Sequence, residues 1–446
     1  MAGIRGKCRI ALKDFDMDAL LERPLSLPSG GTLKNRIAKA AMTEGLADAH
    51  NRATERHQTI YRRWAEGGAG MLLTGNVMVD RRYLERPGNV AIDGPQTEDQ
   101  LDRLRRWSAA AREAGADIWM QISHAGRQSP KIVATEPVAP SAVELGLPGG
   151  TFAKPRALTA SEIENVIERF AHTASVAKQT GFTGVQIHAA HGYLISEFLN
   201  PLVNQREDEW GGSLENRARL LMSVIREVRA QVGSGYAVSV KLNSSDFQKG
   251  GFSPEDSLQV AKWLNDAGVD LLEISGGSYE QPAMMDLEGM EARYEEGKRE
   301  STKAREAYFL TYAEEIRKVA QMPLMVTGGF RSRAGMEEAI ASGACDVCGI
   351  ARPLCVDPAT PAKLLSGALE KAPSWEKTLR IGPGVLGPTS SVDLLKALNG
   401  FSVMAFFYEN IFRLADGLDA KTKMAILPAF IKLQLQEAKA AKALKR

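Results

Sequence analysis

From Leu33 onward, short apolar runs bounded by glycine, proline or aspartate alternate with longer stretches in which apolar positions recur at helical spacing. The short runs carry few charges, as strands covered on both faces do. They predict strands over residues 37–41, 70–77, 117–122, 184–189, 236–242, 271–275, 324–327 and 347–350. The longer stretches predict helices over 53–66, 98–114, 160–179, 215–231, 254–265, 303–319, 333–341 and 361–369. Thr159 followed by Glu162 reads as a capping box. Ser253-Pro254-Glu255 sets a capping hydroxyl, a proline at the first helical position and an acid in the first turn. Helices ending on Gly115, Gly268 and Gly343 each lead directly into a strand, so one unit is repeated.

Strict alternation of strand and helix argues for a parallel sheet with helical crossovers. Eight such units close a (β/α)8 barrel, so the fold expected is α/β, a TIM barrel, with a doubly wound open sheet as the rival. Two loops are too long to be connectors: 124–158, rich in proline and glycine, and 276–302, rich in Glu, Met and Gly. In a barrel both emerge on the carboxyl face of the strands, where active sites sit. Beyond residue 369 the alternation stops, and helical runs follow over 392–415 and 421–445. The expected organisation is a barrel with an N-terminal cap over 1–371 and a helical C-terminal extension over 372–446.

Composition changes this picture little. The 446 residues are 44% hydrophobic and carry 56 Lys and Arg against 54 Asp and Glu, a formal charge of +2. That near-balance removes the electrostatic case for a nucleic-acid partner. Four cysteines in so long a chain form no disulfide framework, which suggests a reducing, cytoplasmic compartment. The first fifteen residues lack an apolar run, and the best candidate span, 392–414, contains Asp393, Lys396, Glu409 and Arg413, so neither a signal peptide nor a membrane segment is expected. The partner expected is a small molecule, and the extension leaves room for contact with a second copy.

Candidate chemistry concentrates at the end of the fourth strand, in His188-Ala189-Ala190-His191-Gly192-Tyr193. Two imidazole N–H groups aimed at one point can bind a carbonyl or nitro oxygen and stabilise charge developing there. A tyrosine hydroxyl beside them can deliver a proton to carbon. Two bland readings stand next to this one: a hydrogen-bonded pair of core histidines, or half of a metal site, although no further ligands are spaced to complete one.

The run from Gly184 to Gly192, with Asn200-Pro201-Leu202, Asn204-Gln205-Arg206 and Trp210-Gly211-Gly212-Ser213-Leu214-Glu215-Asn216-Arg217, closely resembles the old yellow enzyme family of flavin-dependent ene-reductases. The resemblance spans residue 33 to about residue 369 and implies a barrel holding non-covalent FMN. By resemblance, Ala40, Ala41, Met42 and Thr43 lie along the isoalloxazine ring, with Thr43 tuning its potential. Asn76 stands where the family often has a small residue, Gln121 pairs with the pyrimidine edge, and Lys241 replaces the usual arginine beside N1 and O2. Gly328 and Gly329 after the seventh strand, and Ala351 and Arg352 after the eighth, match the phosphate site, which backbone N–H groups and a guanidinium can build.

The resemblance implies an NAD(P)H oxidoreductase with a two-step, ping-pong alternation. NADH or NADPH reduces the flavin, and an activated alkene such as an α,β-unsaturated ketone or aldehyde then takes its place. His188 and His191 hold the substrate oxygen, and Tyr193 donates the proton. Alternatives on the same barrel are an amine-oxidising or N-demethylating flavoenzyme, an NAD(P)H oxidase and, more remotely, a non-catalytic flavin scaffold. Three patterns carry less. Gly382-Pro383-Gly384-Val385-Leu386-Gly387 fits a dinucleotide motif but follows no strand. Cys345 and Cys348 lie on or beside the eighth strand without a fourth ligand, so no metal is expected, and the apolar stripe 401–412 reads as packing.

Overall fold

A computed structural model describes residues 20–147, 150–280, 307 and 309–444. The N-terminal segment, most of the second long loop and the start of the helix expected from residue 303 lie outside them.

Eight parallel strands close on themselves: β1 (Ile37–Lys39), β2 (Met71–Leu73), β3 (Asp117–Ser123), β4 (Gly184–Ala189), β5 (Ala237–Asn243), β6 (Leu271–Ser275), β7 (Leu324–Thr327) and β8 (Val347–Ile350). β8 pairs with β1 through Cys348 opposite Ile37, which completes the ring. The surrounding helices are α1 (Glu55–Glu66), α2 (Glu98–Arg112), α3 (Ala160–Gln179), α4 (Leu214–Val232), α5 (Pro254–Asp266), α6 (Leu310–Arg317), α7 (Arg333–Ala341) and α8 (Thr360–Leu365). The (β/α)8 barrel expected from the alternation is thus present, and the open-sheet rival is not.

Local chemistry explains several boundaries. At α3, Glu162 N–H donates to Thr159 Oγ1 at 3.3 Å while Thr159 N–H donates to Glu162 Oε2 at 2.9 Å, so the capping box forms. At α5, Asp256 N–H donates to Ser253 Oγ. The strand expected over 70–77 is only three residues long. After Leu73 the chain leaves the ring, Gly75 packing where an added Cβ would meet Met42 O at 2.4 Å, and Val77–Met78 pairs as a separate short strand beside β3. The first long loop is more ordered than expected: it contains a 3-10 turn, Gly126–Gln128, and a short parallel pair, Val138–Ala139 with Arg156–Ala157.

Alternation within the strands grades the barrel interior from apolar to polar. Ala38, Met71, Trp119, Ala237, Leu271, Met325 and Val347 pack together at its amino-terminal end, closed from below by Leu25 and Leu33 of an N-terminal hairpin. The Trp119 indole fills that floor so tightly that a Cβ on Gly184 would lie 2.8 Å from it. Toward the carboxyl end the inward positions become Gln121, Gln186, Lys241 and Glu273, all buried. Polar groups buried at that depth require partners, so this end is where a polar ligand or a network has to lie.

Past α8 the chain forms two further helices, α9 (Asp393–Ala415) and α10 (Ile426–Ala443). α9 packs Phe406, Phe407, Ile411 and Leu414 into the main core and is tied to α1 by Arg56–Asp416 and Arg63–Asp419 ion pairs. Among the described residues, no helix is long and apolar enough to cross a membrane.

Candidate active site

At the carboxyl end of the barrel, His188 belongs to β4 and His191 follows it in a left-handed backbone conformation, φ 64°. Non-glycine residues adopt this region uncommonly, and histidine is among those enriched there. The turn brings His191 Nδ1 to 3.3 Å from His188 Nε2, with the two rings edge to face. His191 Nε2 lies 2.7 Å from Ser275 Oγ at the end of β6. His188 Nδ1 lies 2.9 Å from Asn76 Oδ1 and 3.4 Å from Ser123 Oγ.

These contacts fix protons. A serine hydroxyl that donates to His191 Nε2 leaves that ring's proton on Nδ1. Asn76 Oδ1 accepts from His188 Nδ1–H, so His188 Nε2 accepts the His191 N–H. In that placement the two imidazoles meet as a donor and an acceptor. Burial first, and then the Lys241 ammonium, hold both rings well below the usual histidine range, so both are neutral at pH 7.

Tyr193 caps the short helix Leu194–Leu199, its ring centroid 4.7 Å from that of His188. Its hydroxyl is 2.9 Å from that of Tyr279, in the loop after β6. Burial, followed by the Tyr279 and Glu85 charges, pushes the Tyr193 phenol well above its ordinary value, so it carries its proton at all working pH values. Gln128 joins the two long loops here, donating to His191 O and accepting from Tyr279 N–H. Glu280 adds a second tie, to Arg127 at 2.6 Å and to Gly146 N–H at 2.7 Å.

Below the histidines runs a buried polar chain across four strands. Gln121 Nε2 donates to Gln186 Oε1 at 2.8 Å, Gln186 Nε2 donates to Glu273 Oε2 at 2.8 Å, and Lys241 Nζ stands 3.0 Å from Glu273 Oε1. Lys241 is therefore not a lone cation but half of an ion pair. Ala40, Ala41, Met42 and Thr43 leave β1 alongside; Asn76 Nδ2 reaches Thr43 Oγ1 at 3.4 Å, and Cys355 Sγ touches Met42 Sδ at 3.4 Å. The segment is anchored from outside the ring by Glu44, which accepts from Gly75 N–H and Tyr61 Oη–H and faces Lys39 Nζ at 3.9 Å.

At the far side, Gly328 and Gly329 take φ values of 116° and 92°. Two successive left-handed residues turn backbone N–H groups toward one concavity. Thr327 Oγ1 just before them is buried with no hydrogen-bond partner, and Gly349 opposite leaves no room for a Cβ, which would lie 2.1 Å from that oxygen. Ala351 leads into the 3-10 turn Arg352–Cys355. The Arg352 guanidinium lies 3.4 Å from Glu376, which also holds Arg331 at 2.6 Å.

The structure thus gathers His188, His191, Tyr193, Asn76 and Thr43 into one connected group, places Gln121 and Lys241 in the layer beneath, and sets Gly328, Gly329, Ala351 and Arg352 at the β7 and β8 ends. Sequence reasoning missed Ser275, Tyr279, Gln186, Glu273 and Glu376. Glu273 was findable as the one charge inside the apolar strand Leu271–Ser275, and Gln186 similarly interrupts β4.

Residues 21–370 match the model of the NADH:flavin oxidoreductase / NADH oxidase family. The chain is 39% identical over 361 residues to the NADH-dependent flavin oxidoreductase iliE of Hypocrea jecorina, covering 77% of this chain and 88% of that protein. The protein of the same name from Neonectria sp. is also 39% identical, over 355 residues, but there the match covers 76% of this chain and 46% of the relative, so the chain spans about half of that longer protein. Among solved structures, the old yellow enzyme homologue from Zymomonas mobilis superposes with a TM-score of 0.66 at 28% identity, covering 78% of this chain and 93% of the other. The chain belongs to the NADH:flavin oxidoreductase / NADH oxidase family, that of old yellow enzyme: it is an oxidoreductase whose cofactor is FMN and whose electron donor is NADH or NADPH.

Proposed function

We propose that this enzyme reduces activated C=C bonds, those conjugated to a ketone or aldehyde, in two alternating half-reactions at one site. The observation that carries the reading is the gap between His188 Nε2 and His191 Nδ1, 3.3 Å wide, with Tyr193 beside it. A carbonyl oxygen seated beside that pair, within hydrogen-bond distance of both nitrogens, takes the His191 N–H in place of His188. His188 joins as a second donor when its proton sits on Nε2, with Nδ1 then accepting from the Ser123 hydroxyl or from the Asn76 amide turned end for end. Both rings being neutral, they donate without giving up the proton, and negative charge building on the oxygen is stabilised in a site shielded from water. Tyr193, protonated and buried, is placed to deliver a proton to the α-carbon, with Tyr279 as its hydrogen-bonded neighbour.

The residues present fit FMN. Gln121 and the Lys241–Glu273 pair offer amide and charge to a pyrimidine edge, the small Ala40 and Ala41 leave room along a flat ring, and the Thr327 hydroxyl, without a hydrogen-bond partner among the described residues, the Gly328–Gly329 turn and the Arg331 and Arg352 guanidiniums suit a phosphate. When bound, FMN supplies the hydride chemistry that links the nicotinamide to the alkene. The chain's part is to hold, orient and polarise. The buried free thiols Cys345, Cys348 and Cys355 support a reducing, cytoplasmic place of work.

The reading is tested by following NADH and NADPH consumption with 2-cyclohexenone, with a methylated amine and with oxygen alone. Saturable enone reduction well above the oxygen rate is expected. Turnover with the amine, or with oxygen only, would replace it by the amine-oxidising or oxidase reading.

A further inference from the structure

The C-terminal extension does more than pack on the outside of the barrel. Arg86, in the loop after the short Val77–Met78 strand, reaches up to form an ion pair with Glu437 of α10 and lies with its guanidinium 4.0 Å from the centroid of the Tyr408 ring of α9. The pairing across α10, loop and α9 is largely shielded, the Arg86 side chain being 14% exposed. Its stem also runs over the flavin-side segment, where a Cβ on Gly45 would lie 3.7 Å from Arg86 Cδ.

Two further contacts place this clamp over the catalytic groups. Leu444, beyond the end of α10, packs against the apolar cluster that contains Tyr193, Ala125 and Val133. Phe412, one turn along α9 from Tyr408 and 6.3 Å from it between ring centroids, lies 3.9 Å from where a Cβ on Gly45 would stand. The Tyr408 ring thus sits, through Arg86, beside the stretch that follows Thr43, while the end of α10 reaches the cluster of Tyr193. A cation held on one face of an aromatic ring fixes the plane of that ring, which a loose surface tyrosine lacks.

We propose that residues 372–444 roof the catalytic mouth of their own barrel, and that Tyr408, clamped by Arg86 and Glu437, is a specificity-determining residue that limits the size of the enone admitted. The proposal rests on the ene-reductase reading above and extends it to the substrate's outer portion.

Binding rather than turnover tests it. FMN-loaded wild type, Tyr408→Ala, Glu437→Gln and Tyr408→Phe are titrated with 2-cyclohexenone and with the larger 4-phenyl-3-buten-2-one, following the flavin absorbance. Removing the ring should shift the ratio of the two dissociation constants toward the larger ligand by at least about tenfold, the scale of discrimination that one pocket wall supplies. Glu437→Gln should move the ratio the same way, and it covers the case in which Tyr408→Ala does not fold; Tyr408→Phe, which keeps the wall, should leave it within about twofold. Wild type that binds neither enone would sink the ene-reductase reading and the roof's role with it. Wild type that binds both, with a ratio unmoved in Tyr408→Ala or, should that variant not fold, in Glu437→Gln, would overturn the roof alone.

Discussion

Ser275 Oγ stands 2.7 Å from His191 Nε2, while the other ring nitrogen, Nδ1, meets His188. With the hydroxyl donating, the ring's proton is on Nδ1 and points into the gap beside His188. Ser275→Ala removes that preference and lets the proton move to the wrong side. The alkene half-reaction should slow by about tenfold to a hundredfold, the usual effect of losing a partner that orients a working imidazole. Ser275→Thr, which keeps the hydroxyl, should restore most of the rate. Stopped-flow reoxidation of the reduced enzyme by an enone measures both.

Tyr193 provides a sharper separation of the two half-reactions. Tyr193→Phe removes the proton but keeps the ring against His188. Reduction of the enone should fall by about 10² to 10⁴, the range for loss of a general acid, while reduction of the flavin by NADH should be nearly unchanged. An equal fall in both half-reactions would end the proton-donor role. The Tyr279 hydroxyl, 2.9 Å away, gives a graded control: Tyr279→Phe should weaken the donor by less than removal of Tyr193 itself.

Much of this fold was legible in the chain. β4, β6, β7 and β8 have the bounds their sequence predicts, because each is an apolar run cut off sharply by glycine, aspartate or proline. β2 was overread, since Gly75 lets the chain turn out of the ring while the apolar pattern continues. The site was legible where side chains leave the strand ends in one short segment, as with His188, His191 and Tyr193. It was not legible where a partner arrives from elsewhere: Ser275 is 84 residues from His191, and Glu376 reaches Arg331 from the extension, so no local spacing announces either pair.

The Lys241–Glu273 pair controls the charge of the layer beneath the histidines. Glu273→Gln keeps the shape and leaves the ammonium uncompensated in a buried position. Two effects should appear together. Stability should drop by roughly 3–5 kcal/mol, the cost of breaking a buried pair by removing one partner. The reduction potential of the bound flavin should rise, because an unopposed cation favours the more negative reduced form. Lys241→Gln should move the potential the other way. Dye-equilibrated potentiometry reads the second effect and thermal unfolding the first; a potential unchanged in both variants would place the pair out of reach of the flavin.

Stability should pass through a maximum near neutrality, and the sign follows from which groups burial has shifted. His57 is pushed down to about 3, His124 to about 4, and His188 and His191 well below their usual range, each chiefly by burial. The folded state keeps these four neutral while the unfolded chain takes up protons below about pH 6.5, so acid favours unfolding by about 1.4 kcal/mol per pH unit for each histidine. Glu197 works in the opposite sense. Burial raises it to about 8, so the folded state holds a proton that the unfolded chain releases above its ordinary carboxylate pKa, and stability falls as pH rises toward 8. Asp246, raised to about 6, adds to that slope over the lower part of the same range. Below about pH 7 proton uptake by the four unfolded histidines exceeds what the two folded acids hold, and stability declines. The melting temperature of the FMN-loaded protein should therefore peak near pH 7, and Glu197→Gln should flatten the alkaline side of the curve while leaving the acid side steep. A peak that stays in place with its alkaline slope intact in that variant would mean that Glu197 is ionised in the fold.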